Sequence, residues 1–181
     1  MAADRRILVV GLENAGKTRL LRTMSGDVTN LMPTRGCIVK TISYEGRVLS
    51  LLEVGGFARS VWRRYANADC VVFVVDAHDR GRIYEAATAL AQLLREPRLA
   101  MVPVLVLCNK MDIFTSLKPE VLLTLFAPVL RGRPSAVLGC SAMTGDGVPA
   151  ALAWLAIWLD RTRPRNRRTL FRCCCYSLRS S

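Results

Sequence analysis

Residues 6–18 read Arg6-Ile7-Leu8-Val9-Val10-Gly11-Leu12-Glu13-Asn14-Ala15-Gly16-Lys17-Thr18. The apolar run Ile7 to Val10 ends at a glycine, which predicts a buried strand near 6–10 that breaks into a turn. From Gly11 to Thr18 the sequence fits GxxxxGK[ST]. Glycines at both ends let a backbone wrap a phosphate chain with successive N–H groups pointing inward, and a helix that opens behind them adds its positive end. In that arrangement Gly11, Leu12, Glu13, Asn14, Ala15 and Gly16 form the cradle. Lys17 reaches the β and γ phosphates, and the Thr18 hydroxyl binds Mg²⁺. An accidental glycine-rich turn is the competing reading, but it leaves the order of strand, motif and helix unexplained.

Working outward, further short apolar runs lie near 37–44, 47–54, 70–75, 102–108 and 135–140, separated by helix-patterned stretches. That alternation predicts an α/β fold with a six-stranded sheet and helices on both faces. Glu45-Gly46 between two strand-like runs reads as a hairpin turn, which gives one antiparallel pair in a mostly parallel sheet. Ile83, Ala86, Ala87, Leu90, Leu93 and Leu94 recur at helical spacing, and Leu152, Leu155 and Leu159 repeat the pattern after Gly147. Both stripes read as core faces.

A second motif, Asn109-Lys110-Met111-Asp112, follows a predicted strand and so falls at the carboxyl edge of the sheet, where open α/β sheets bind ligands. A carboxylate at Asp112 can accept hydrogen bonds from guanine N1–H and its exocyclic amine, a pair that adenine does not present. Asn109 can tie loops together, and the Lys110 stem can cover a purine face. Alone, the tetrapeptide could be a helix start capped by Asp112. Paired with the phosphate loop and with Cys140-Ser141-Ala142 after the last strand, it reads as a guanine-nucleotide site.

With these residues in place the chain resembles the Arf and Arf-like small GTPases over about residues 5 to 160. Pro33-Thr34-Arg35-Gly36 is similar to the family's first switch, and Glu53-Val54-Gly55-Gly56 to its second. Trp62-Arg63-Arg64-Tyr65, Val74-Val75-Asp76 with Asp79-Arg80, and Ala151-Leu152-Ala153-Trp154-Leu155 also match. The resemblance implies a P-loop small GTPase fold with an interswitch hairpin, GTP and GDP as ligands, and Mg²⁺ held by Thr18 and Thr34. It also implies Gly56, Ser141 and Ala142 as nucleotide-binding residues, and effector, exchange-factor and GAP partners.

Two departures bear on chemistry. The family usually carries Asp where this chain has Glu53, one methylene longer, so any water-mediated contact with Mg²⁺ shifts. Phe57 stands where the family has the glutamine that orients the attacking water, and a phenyl ring neither donates nor accepts. The stretch from Phe57 to Trp62 is also short for a second switch. The expectation is therefore a regulatory switch with slow or GAP-dependent hydrolysis. A non-hydrolysing, GTP-loaded scaffold is the alternative.

The chain has 181 residues, 51% of them hydrophobic and 22% charged. That composition excludes global disorder and suits one domain, expected over 1–160. No apolar run reaches the ~18 residues of a membrane span. Ala2 after Met1 leaves no acceptor for N-myristoylation, and no CaaX box ends the chain. Cys37, Cys70, Cys108 and Cys140 read as buried free thiols of a reducing compartment, and with one histidine and no CxxC pair a zinc site has little support.

The net charge of +12 concentrates in residues 161–181, which carry seven arginines and no acid. This stretch, with Cys173, Cys174 and Cys175, is expected to be a basic, flexible tail and a candidate for lipidation at an anionic membrane surface. Nucleic-acid binding through it is the weaker reading, because only Phe171 and Tyr176 are there to stack on bases. The expected location is cytoplasmic with peripheral membrane attachment.

Overall fold

The computed structural model describes residues 5–26, 37–55 and 59–161. Thr34, Gly56, Phe57 and the three tail cysteines lie outside them. The described elements run, in order, β1 (Arg5–Val10), α1 (Lys17–Ser25), β2 (Cys37–Tyr44), β3 (Arg47–Val54), α2 (Arg59–Trp62), β4 (Cys70–Asp76), α3 (Ile83–Leu94), β5 (Val104–Asn109), α4 (Pro119–Leu130), β6 (Ser135–Gly139) and α5 (Val148–Arg161).

The six strands form one sheet in the order β2-β3-β1-β4-β5-β6. Every pair is parallel except β2 with β3. Glu45 and Gly46 close that hairpin with φ of 47° and 75°, the left-handed pair that a tight turn matched to strand twist requires.

Helices cover both faces, so strands are apolar on both sides and alternate between two cores. Leu8, Val10, Leu52, Val54, Val71, Phe73, Val75, Val104 and Val106 pack toward α3 and α4. Ile7, Val9, Leu49, Leu51, Val72, Val74, Leu105 and Leu107 pack toward α1 and α5. In the first core Phe73 meets Trp62 edge-on at 6.2 Å and Phe126 at 6.3 Å, aromatic contacts worth about 1 kcal/mol each beyond burial.

From β1 the chain crosses to one side of the sheet, and from β3 it crosses back to β4 on the other. The switch point therefore lies at the carboxyl ends of β1 and β4, where such sheets place ligands.

Candidate functional site

Four loops meet at that edge. The loop from Gly11 to Gly16 leaves β1 and runs into α1, whose first residue is Lys17 and whose N-cap is Gly16 with φ of 90°. Both glycines are required by close approach. A Cβ on Gly11 would sit 2.2 Å from the Val74 carbonyl oxygen, and one on Gly16 would sit 2.3 Å from Nδ2 of Asn109. Asn14 adopts φ of 60°, a left-handed conformation that asparagine tolerates better than most residues. The result is a tight turn pressed against β4 and β5.

Lys17 is buried, with Nζ donating to the carbonyls of Gly11 at 3.0 Å and Leu12 at 2.8 Å. Burial lowers the proton affinity of its ammonium, while the carboxylates of Glu53 and Glu13 pull the other way. A desolvated cation held by the carbonyls of a glycine-bounded loop suits a polyphosphate.

Thr18 follows on the first turn of α1, and its hydroxyl donates to Oε1 of Glu53 at 2.6 Å. Glu53 is buried near the end of β3. A hydroxyl and a carboxylate are hard oxygen donors, the set that Mg²⁺ takes and that softer metals do not prefer. The residues present fit that ion.

At the end of β5, Asn109 is buried and bridges two loops. Nδ2 donates to the Ala15 carbonyl at 2.8 Å, and Oδ1 accepts from the Ala142 amide at 2.9 Å. Lys110 turns the chain with φ of 68° and sets its ammonium 2.5 Å from Oδ2 of Asp76, at the end of β4. Asp112 caps no helix, since α4 begins only at Pro119. Its Oδ1 accepts from the Ser141 hydroxyl at 2.6 Å. That hydroxyl in turn accepts from the amides of Met143 at 3.2 Å and Thr144 at 3.1 Å. A carboxylate with one oxygen fixed this way keeps its remaining lone pairs for a ligand.

The residues from Gly11 to Thr18, with Asn109, Lys110, Asp112, Ser141 and Ala142, thus gather at one edge. Some supporting contacts are long-range: Arg82, held locally by Asp79 at 2.6 Å, reaches Glu13 at 3.8 Å. Trp62 donates from Nε1 to the Gly55 carbonyl at 3.1 Å, anchoring the chain where the second-switch motif begins. Asp76 was legible only as part of a motif, because its partner Lys110 lies far along the chain. His78, exposed beside Asp79, contacts the Thr115 hydroxyl at 3.1 Å and so sits away from the phosphate loop.

Comparison with known proteins places this architecture. The family model of the ADP-ribosylation factor family matches residues 1–158. ADP-ribosylation factor-like protein 3 of Chlamydomonas reinhardtii is 37% identical over 157 residues, covering 84% of this chain and 89% of that protein. ADP-ribosylation factor-like protein 2 of Arabidopsis thaliana is 38% identical over 158 residues, covering 84% and 85%. Among solved structures, the Arl6 small GTPase of Trypanosoma brucei with a bound nucleotide analogue, GppNp, superposes with a TM-score of 0.83 at 23% identity, over 89% of this chain and 100% of that one. A likeness at that identity speaks for the fold, whereas the match along nearly the whole domain speaks for descent: the chain belongs to the ADP-ribosylation factor family, on its Arf-like side.

Proposed function

We propose that this protein is a guanine-nucleotide switch whose site is the edge described above. The observation that carries the reading is Asn109, one side chain that fixes the phosphate loop through Ala15 and the base-side loop through Ala142. It holds two half-sites at a set separation, as a nucleotide with a base at one end and phosphates at the other requires.

In this reading the amides from Gly11 to Gly16 and the ammonium of Lys17 bind the phosphates. Asp112 reads guanine, Ser141 orients that carboxylate, and Ala142 and the Lys110 stem flank the base. Thr18 and, when a γ-phosphate is present, Thr34 would hold Mg²⁺, and Gly56 would contribute to nucleotide binding. Bound there, Mg²⁺ neutralises charge that builds on the β and γ phosphates during transfer. The protein's own residues position the phosphates, exclude water through the tight loop and fix the base.

Phe57 supplies no group to orient an attacking water, so intrinsic hydrolysis is slow, and a GAP or the exchange of whole nucleotides sets the timing. Effectors, an exchange factor and a GAP bind through the switch segments. The GTPase domain spans 1–160. Residues 161–181 form a basic tail whose Cys173, Cys174 and Cys175 accept acyl chains at the cytoplasmic face of a membrane, a chain plus a polybasic patch being the two-signal combination stable anchoring needs.

A second reading, a GTP-loaded scaffold that does not turn over, is favoured by the same Phe57. Single-turnover hydrolysis of bound GTP, followed for hours with and without an Arf-family GAP, separates the two. Slow release of phosphate supports the switch. None under either condition supports the scaffold.

A further inference from the structure

α5 has no charged side chain from Val148 to Leu159, yet only one of its faces packs on the sheet. Val148, Ala151, Leu152, Leu155, Ala156 and Leu159 are buried. The opposite face carries Ala150, Ala153, Ile157 and Trp158 at helical spacing, while Trp154 at its edge is half-buried against the core beneath. Ile157 is 52% exposed. A surface helix ordinarily turns charged and polar residues outward, and α3 does so with Glu85, Thr88 and Gln92.

The carboxyl end of the stripe adds positive charge. The Trp154 and Trp158 rings lie 6.0 Å apart, and the Arg161 guanidinium sits 5.2 Å over the Trp158 ring. Asp160, the only acid on α5, is held by a two-pronged contact from Arg47 on β3. That pairing keeps its carboxyl below the usual range and offsets its charge. Beyond Arg161 the chain continues for 20 residues with six more arginines and no acid.

We propose that the outer face of α5 lies on an anionic lipid bilayer, with Ile157 among the acyl chains and Trp158 at headgroup level. This rests on the membrane reading of the tail and adds the surface that sets the domain's orientation. Tryptophan and arginine beside an apolar stripe are the residues that settle at a membrane interface. A second copy of this chain on the same face would carry the same net charge of +12, and like charge opposes association.

The test uses the full chain, purified without acylation and loaded with GDP. It is mixed with phosphatidylcholine vesicles, with and without about 30% phosphatidylserine. We expect binding to the anionic vesicles and quenching of tryptophan emission by lipids brominated on the acyl chain, with buried Trp62 as the unquenched background. Ile157→Glu should weaken partitioning by about tenfold or more, with the melting temperature and GDP affinity unchanged. A variant with the six arginines beyond Arg161 changed to glutamine should also bind less.

Binding without quenching, and equal for Ile157→Glu and the parent, would leave the tail reading standing and overturn the α5 surface. No binding to either vesicle by the parent would overturn both. Lipid-free dimerisation that Ile157→Glu abolishes would assign the face to a protein interface instead.

Discussion

The Thr18 hydroxyl and the Glu53 carboxylate are in direct hydrogen-bond contact at 2.6 Å, joining the first turn of α1 to the end of β3. The longer side chain lets the carboxylate reach the hydroxyl itself, beside the Lys17 ammonium. Replacing it with glutamine keeps the shape and the acceptor but removes the charge. Glu53→Gln should raise the Mg²⁺ concentration needed to retain GDP by about tenfold, the weight of a charge-assisted contact, while changing the melting temperature little. Release of a fluorescent GDP, followed across an Mg²⁺ titration, measures this. An unchanged titration would remove Glu53 from the metal side of the site.

Asn109 and Gly16 are matched. Asn109→Ala loses the buried hydrogen bonds to Ala15 and Ala142 and leaves that carbonyl and that amide to find other partners, at a cost of about 1–3 kcal/mol each. Nucleotide release should accelerate by about two orders of magnitude or more. Gly16→Ala forces a Cβ into the space of Asn109 and strains a φ of 90°, so it should impair binding as severely. Stopped-flow release rates together with thermal melts check both, and a wild-type release rate in either variant would contradict the bridging role.

Phe57→Gln should speed single-turnover hydrolysis, because a side-chain amide restores a group that can orient water. The parent should be slow without being inert, since Lys17 and the loop amides still stabilise transferring phosphate. A parent as fast as glutamine-bearing Arf-like proteins, measured without GAP, would show that another residue positions the water.

Burial sets thiol reactivity. The Cys108 and Cys140 thiols are pushed up to about 12, and Cys70 higher still, by removal from water. At pH 8 a group of pKa about 12 is thiolate about once in 10⁴ molecules, so these three should resist iodoacetamide in the native protein and react only when it unfolds. Half-buried Cys37 should be modified first in a variant whose tail cysteines are serine. Mass spectrometry of timed samples reads the order, and prompt labelling of Cys108 would contradict the packing.

The strands were legible because burial on both faces leaves continuous apolar runs, and the hairpin because Glu45-Gly46 supplies the two left-handed residues its turn needs. The fifth strand begins two residues later than the apolar run predicts. Val102 instead donates to the Leu99 carbonyl in a turn, and Pro103 has no N–H to give the ladder. Helix α4 gave no clear stripe, since its outer residues Val121, Leu123, Ala127 and Pro128 are as apolar as its inner ones.

The motifs picked out residues that the fold gathers at one edge, but not their pairings. That Ser141 holds Asp112, or that Lys110 meets Asp76, depends on strands brought together by the sheet and has no local spacing to betray it. Thr34, Gly56 and Phe57 were read from the sequence and lie outside the described residues.

The proposed switch depends above all on selection of guanine by Asp112 and the loops around it. The direct measurement is competition of GDP, ADP and XDP for the parent and for Asp112→Asn, with Mg²⁺ present. GDP should outcompete ADP by at least about a hundredfold in the parent, as two hydrogen bonds to a charged acceptor at about 1.5–3 kcal/mol each imply. Asp112→Asn should lose GDP affinity and gain XDP, whose added carbonyl needs a donor. Equal affinity of the parent for GDP and ADP, or an Asp112→Asn variant with unchanged preference, would contradict guanine selection by this site.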